Sequence, residues 1–178
     1  MAQQLVDRRD LDFVIWEQMN AESILGKGVY KEFNKKTCDM IITEARALAI
    51  KEMLPTLAEG DKQGIRFDKG AVEVPDCFHD AHRLILEGEW QSLSVSPEMG
   101  GQGVPGFVGV ACAEYFLGAN WALFAYASMG NGTAKMIDLY GTPEQKEKYI
   151  PNIVAGKWGG TMLLTEPQAG SDVGALET

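Results

Sequence analysis

Leu163 to Ala175 reads LLTEPQAGSDVGA. The stretch closes a short apolar run, Trp158 to Leu164, which has Gly159 and Gly160 near its head and Thr165 just beyond its end. That pattern predicts a strand emptying into a polar turn. Pro167 removes one backbone donor from the turn. Ala169, Gly170 and Ser171 make a small-residue loop whose N–H groups can converge on an anion, because glycine tolerates positive φ and offers no side chain to block approach. Such a loop can hold a pyrophosphate. Turn chemistry alone allows a plainer reading, in which Glu-Pro-x-x-Gly-Ser-Asp is a solvated turn.

The string Thr165-Glu166-Pro167-Gln168-Ala169-Gly170-Ser171-Asp172 resembles, without gaps, the flavin-binding motif of the acyl-CoA dehydrogenase family. Leu163 is a departure, since the family usually carries a small residue there. Earlier in the chain, Gly88 to Gly103, with Trp90, Pro97, Glu98, Gly100, Gly101 and Gly103, is similar to the family's Gly-x-Trp followed by Pro-Glu-x-Gly-Gly-x-Gly. Between the two, Gly141 to Tyr149 with Ile150-Pro151 resembles a Gly-Thr-x-x-Gln-Lys-x-x-Tyr-x-Pro run that precedes the flavin strand. Separate motifs in the same order weigh more than any one of them.

The chain has 178 residues, 46% of them hydrophobic, with a net charge of −9. Length and apolar content suit one domain with a real core, or one domain and part of another. The acidic balance argues against a nucleic-acid partner, which calls for clustered Lys and Arg. The N-terminus, MAQQLVDRRDLDF, lacks the apolar centre of a secretory signal, and its acids disfavour a transit peptide. No apolar run reads as a bilayer span. Cys38, Cys77 and Cys112 are odd in number and far apart, so free thiols in a reducing, cytoplasmic setting are expected.

Periodicity predicts a helix from Asp10, capped by that residue, and a longer one from Thr37 or Asp39 with Ile41, Ile42, Ala45, Leu48, Ala49 and Met53 on one face. Residues 20–36 are undecided. Pro55 should kink or end the second helix, and Gly60 to Lys69 reads as a loop, partly extended around Ile65 and Phe67. A third helix is expected from Asp76 to Glu87. It holds both histidines, and Cys77, His79, Asp80 and His82 invite a metal reading, which a missing second ligand cluster disfavours.

Gly101 to Gly106 literally fits G-x-G-x-x-G after a β-like run from Leu93 to Ser96. A dinucleotide fold needs a second parallel strand ending in an acid about 20 residues on. Helix-forming sequence follows instead, which favours a loop between helices. Helices are expected over Phe107 to Leu117 and Ala119 to Tyr140, joined at Gly118. Gly141 should close the second. Thr142, Pro143 and Gln145 should open the next with a capping box, and Gly156-Lys157 should turn the chain into the strand at Trp158.

The fold class expected is mainly α: a helical bundle domain over residues 1–157, then the first strand and loop of a middle β domain over 158–178, with the remainder of that domain beyond this sequence. The resemblance implies FAD as cofactor and α,β-dehydrogenation of an acyl-CoA thioester. Backbone groups of Met162 and Leu164, with the N–H and hydroxyl of Thr165, would meet the flavin's pyrimidine edge. Gly170 and Ser171 would bind the pyrophosphate, Ser171 also lying near the CoA end of the substrate. Phe124, Ala125 and Ser128 would line the acyl pocket, although tight helix packing explains the small residues of that segment equally well. Glu166 and Asp172 would orient the loop. No catalytic residue or metal ligand is assigned, since the family's catalytic carboxylate usually comes from a C-terminal helical domain. The resemblance further implies an electron-transferring flavoprotein as acceptor and a homo-oligomer. A long N-terminal portion suggests the larger subgroups, including those resembling methylmercaptopropionyl-CoA dehydrogenases. An acyl-CoA oxidase, a related flavin monooxygenase and a non-catalytic helical interaction module are the alternatives.

Overall fold

A computed structural model describes residues 5–178; residues 1–4, the start of the N-terminal stretch read above for a signal, lie outside it. The described residues are mainly helical, as expected. Helix α1, Arg8–Asp12, passes directly into a wider turn of helix at Phe13–Gln18. It begins before the expected Asp10 because the Asp7 carboxylate accepts from the Arg9 amide at 2.8 Å and supplies the cap. Arg8 Nη2 and Trp16 Nε1 both donate to Asp39 Oδ1 at 3.1 Å, which fastens this segment to the next helix. The undecided residues 20–36 hold two short 3₁₀ turns, Ala21–Ile24 and Gly28–Tyr30.

Helix α2, Lys35–Leu48, starts ahead of the expected Thr37, because Asn34 Oδ1 takes the Thr37 amide at 3.0 Å. Pro55 neither kinks nor stops the helical path. The backbone widens over Ala49–Met53, where the Leu54 amide donates to the Ala49 carbonyl at 2.8 Å, and Pro55 then occupies the first position of α3, Pro55–Gln63. The loop expected from Gly60 therefore begins later. Gly60 lies inside α3, where Phe78 packs so closely that a Cβ would lie 2.5 Å from its ring. Gly64, with φ of 69°, ends α3.

Strands β1, Arg66–Asp68, and β2, Ala71–Glu73, form an exposed antiparallel hairpin in which Phe67 faces Val72. Helix α4, Phe78–Glu87, follows. Leu93 to Ser96 is not a strand: the chain folds back on itself, with the Val104, Gly103 and Gly101 amides donating to the Leu93, Val95 and Ser96 carbonyls. Gly101 is required there, since a Cβ would strike the Val95 carbonyl. No βαβ unit exists among the described residues, and G-x-G-x-x-G is a loop leading into α5.

Helix α5, Gly106–Ser128, runs through Gly118 without interruption and breaks instead at Asn120, where φ is −162° and ψ 93°. Asn120 Oδ1 accepts from the Leu123 amide, and its Nδ2 donates to Thr56 Oγ1 at 2.8 Å. Helix α6, Gly130–Tyr140, then continues the path. Gly106 to Tyr140 does meet the length and composition of a membrane span, contrary to the expectation above. Half of its apolar window is buried against the rest of the protein, as in the central helix of a core. Helix α7, Pro143–Val154, opens with the expected capping box: the Gln145 amide donates to Thr142 Oγ1, and Gln145 Oε1 accepts from the Thr142 amide at 2.8 Å.

One hydrophobic core joins α2, α4 and α5 around Ile42, Met53, Ile85, Val108, Tyr115, Phe116 and Leu123. A smaller cluster between α6 and α7 holds Ala134, Ile150, Ile153 and Val154, with Val95 and Met99 resting on it. Beyond α7, residues 158–164 form no β-ladder, because no second strand among the described residues lies beside them.

Candidate functional site

The loop after residue 164 is built by two tight turns. Glu166 and Ala169 exchange backbone hydrogen bonds at 3.0 and 3.1 Å around Pro167-Gln168, and Ala169 is buried beneath them. Asp172 Oδ1 accepts from the Gly174 amide and caps a 3₁₀ turn over Val173–Ala175. Glu166 folds inward, its two carboxylate oxygens accepting from the Glu177 and Thr178 amides at 3.0 and 3.1 Å and from Gln168 Nε2. Hydrogen bonding by Thr178, then by Glu177 and Gln168, holds this carboxyl down to about 2. Both acids of the motif are thus engaged in shaping the loop.

Gly170 and Ser171 are exposed, and among the described residues no hydrogen bond uses either amide. Gly170 does not adopt the positive φ that the sequence suggested. Its value lies in open space, since a Cβ there would meet nothing within 4 Å. Met162, Leu164 and Thr165 are exposed as well, Met162 to 75%, and their main-chain groups and the Thr165 hydroxyl are likewise unengaged among the described residues. The segment therefore offers a row of free donors and acceptors followed by two free amides. A flavin needs such partners for its pyrimidine edge and its diphosphate, and the carboxylates of Glu166 and Asp172 are turned to groups of the loop itself.

How the segment reaches this position depends on glycine. Gly160 crosses α6 so closely that a Cβ would fall on Thr133 Oγ1 and lie 3.2 Å from the Gly130 Cα. Trp158 packs against Tyr149 of α7 in a tilted ring contact, centroids 5.8 Å apart, and the Lys157 and Trp158 amides donate to the Asn152 carbonyl.

Phe124 and Ser128 both line a cleft of about 480 Å³ between α5 and the turn at residues 90–95; Ala125, one residue from Phe124, does not. Ser128 Oγ donates back to the Phe124 carbonyl at 3.0 Å, so the wall it presents is largely apolar. Sequence reasoning missed the rest of that wall. Phe116 stacks on Phe124 at 5.0 Å and meets Trp90 edge-on at 5.5 Å, while Gly109 leaves room for Ser94. The glycine beside Ser94 is a signal of close approach, but its partner cannot be read from one strand of text. No residue from 160 to 178 lines this cleft, so the motif loop and the α5 wall are not brought together within these residues.

A larger cleft, about 850 Å³, opens between α7 and the turn at Pro97–Met99 and carries Glu89, Glu98, Asp138 and Glu147 beside Lys146. Its acidic lining suits neither a diphosphate nor an acyl tail. His79 and His82 line a small pocket with Phe78, Leu123 and Tyr126, and burial, then the neighbouring His79, lowers the His82 pKa. No group of three metal-binding side chains exists among the described residues. All three cysteines are free; burial pushes Cys38 to about 11 and Cys112 to about 12, which leaves both thiols protonated and inert.

Comparison with known proteins bears on this arrangement. Residues 35–157 match the family model described as acyl-CoA dehydrogenase, N-terminal domain. The chain is similar to a broad-specificity linear acyl-CoA dehydrogenase of Mycobacterium tuberculosis, 35% identical over 96% of this chain and 28% of that protein. It is also similar to a 3-methylmercaptopropionyl-CoA dehydrogenase of Ruegeria pomeroyi, 31% identical over 93% of this chain and 28% of that protein. A butyryl-CoA dehydrogenase of Syntrophomonas wolfei is 27% identical over 98% of the chain and 29% of its own length. The chain thus spans less than a third of the length of these relatives. With the family model covering most of the chain and the motif loop following it in order, the chain belongs to the acyl-CoA dehydrogenase family.

Proposed function

We propose that the complete protein is an FAD-dependent acyl-CoA dehydrogenase that oxidises an acyl thioester between its α and β carbons, with this chain contributing the N-terminal helical part and the start of the flavin site. The observation that carries the reading is the loop at Thr165–Asp172, whose two acids, Glu166 and Asp172, are turned to structural use while the Thr165, Gly170 and Ser171 amides stay free among the described residues. When bound, FAD supplies the acceptor for the β hydride. The main chain at Met162 and Leu164, with the Thr165 amide and hydroxyl, holds the pyrimidine edge, where these donors favour negative charge. Gly170 and Ser171 donate to the diphosphate, and Ser171 lies towards the CoA end. Phe124 and Ser128 wall the acyl tail, with Ala125 beside them, and the rings of Phe116 and Trp90 exclude water from it. No carboxylate of this chain is given the role of base, because in the family that the chain resembles the catalytic carboxylate usually comes from a C-terminal helical domain; Glu166 and Asp172 are kept for shaping the loop. The 178 residues alone therefore do not turn over an acyl-CoA. An electron-transferring flavoprotein as acceptor, a homo-oligomeric assembly and a cytoplasmic location complete the proposal.

Gly170→Glu tests it, because the position has room for the side chain while the new charge opposes a diphosphate. Full-length protein with this substitution should weaken its FAD affinity at least about tenfold, or ~1.4 kcal/mol. Unchanged flavin content and affinity would remove the loop from the cofactor site. Rapid reoxidation of substrate-reduced enzyme by oxygen would favour the oxidase reading.

A further inference from the structure

We propose that a second copy of this chain pairs with β1 edge to edge, about a two-fold axis through Phe67; this rests on the homo-oligomeric assembly proposed above and not on the flavin site. The hairpin stands clear of the helices: all residues of both strands are exposed, and Ile65, Phe67 and Val72 are exposed to 64%, 71% and 62%. A two-stranded hairpin is marginal by itself in water, and its open edges are templates for another strand.

The turn determines which edge groups are free. Lys69 and Gly70 have φ of 48° and 88°, the signature of a two-residue type I′ loop. Asp68 and Ala71, which flank it, form the hydrogen-bonded pair of the ladder, so Phe67 and Val72 form the next, non-bonded pair. In that pair each amide and carbonyl points away from the partner strand. The Phe67 N–H and C=O therefore lie on the outer edge of β1.

Arg66-Phe67-Asp68 is complementary to itself when read antiparallel. With Phe67 opposite Phe67 of the second copy, Arg66 faces Asp68 of the second copy, and the axis repeats the pair. Arg66 already meets Glu73 across the hairpin, so each of the two outer rows across the four strands sets a base between two acids, on either side of an apolar central row. Pairing through β2 would set Ala71 opposite Glu73 of the second copy and gain no ion pair. Pairing β1 on β2 of the next copy would leave an edge open for endless addition, whereas the two-fold arrangement closes. Three-residue strands bury far less than the roughly 1,200–2,000 Å² of a stable interface. The contact therefore forms where copies are already held close, as in a homo-oligomer.

Cross-linking of full-length protein reads such a contact directly. Directly opposed residues of a bonded antiparallel pair have Cα atoms about 5.5 Å apart, inside the disulfide range. With the half-buried Cys77 replaced by Ser in every protein compared, Phe67→Cys should give a covalent dimer under oxidised glutathione, about tenfold or more above Val72→Cys or the parent, whose remaining Cys38 and Cys112 are buried. Adding Arg66→Glu or Asp68→Arg to Phe67→Cys should each suppress the dimer by setting like charges across the axis. Co-expressing the two doubly substituted proteins, so that they assemble together, should restore it, because the acids of one then face the bases of the other. Equal cross-linking at positions 67 and 72, or no mixed dimer on co-expression, would overturn the proposal.

Discussion

Glu166 shows how one side chain can belong to a ligand motif and still serve the loop. Its pKa in the folded protein, about 2, lies below the ordinary 4.5. A carboxyl depressed in this way contributes its full stabilisation above about pH 4.5 and loses it as pH falls towards 2. Glu166→Gln should therefore speed amide exchange at Glu177 and Thr178 at pH 7, and the difference should fade as pH falls through about 2. A difference that persisted in acid would show that shape rather than charge holds the loop. Gly160 makes a second residue-scale claim. Gly160→Ala should cost about 1–3 kcal/mol in urea unfolding, because the Gly130 backbone cannot yield. Gly159→Ala, where a Cβ meets nothing within 4 Å, should change stability by less than about 0.5 kcal/mol.

The elements differ in where the causes of their ends lie, and this decides what could be read from the sequence. The start of α7 was legible because Thr142, Pro143 and Gln145 are neighbours and the capping box is complete within them. The break in α5 was not. Gly118 carries the local breaker signal, yet the helix yields at Asn120, whose partner Thr56 lies 64 residues away. Gly60 misled in the same manner, reading as a loop when it lies inside α3 against Phe78. Asn120→Ala should cost about 1–3 kcal/mol, since it leaves the buried Thr56 hydroxyl and the Leu123 amide each short of a partner. Chemical denaturation measures this, and a loss below about 0.5 kcal/mol would mean that the break is set by packing instead.

At the scale of the whole molecule, the helical core and the order of its motifs were legible because apolar spacing and glycine-rich loops are local patterns. That residues 158–164 form no ladder was not, because a ladder depends on a second strand, which the described residues do not place beside them. Of the candidate site, the loop was recognisable from contiguous residues, while the aromatic wall of Trp90, Phe116 and Phe124 needed the fold to assemble it. The central claim joins these parts into one flavin-dependent dehydrogenase. It is tested most directly by an anaerobic absorbance spectrum of the full-length protein, taken before and after adding a panel of acyl-CoAs. The account predicts a flavin spectrum that bleaches with at least one of them. Protein that takes up no flavin even when FAD is supplied, or flavin that no acyl-CoA reduces, would contradict it.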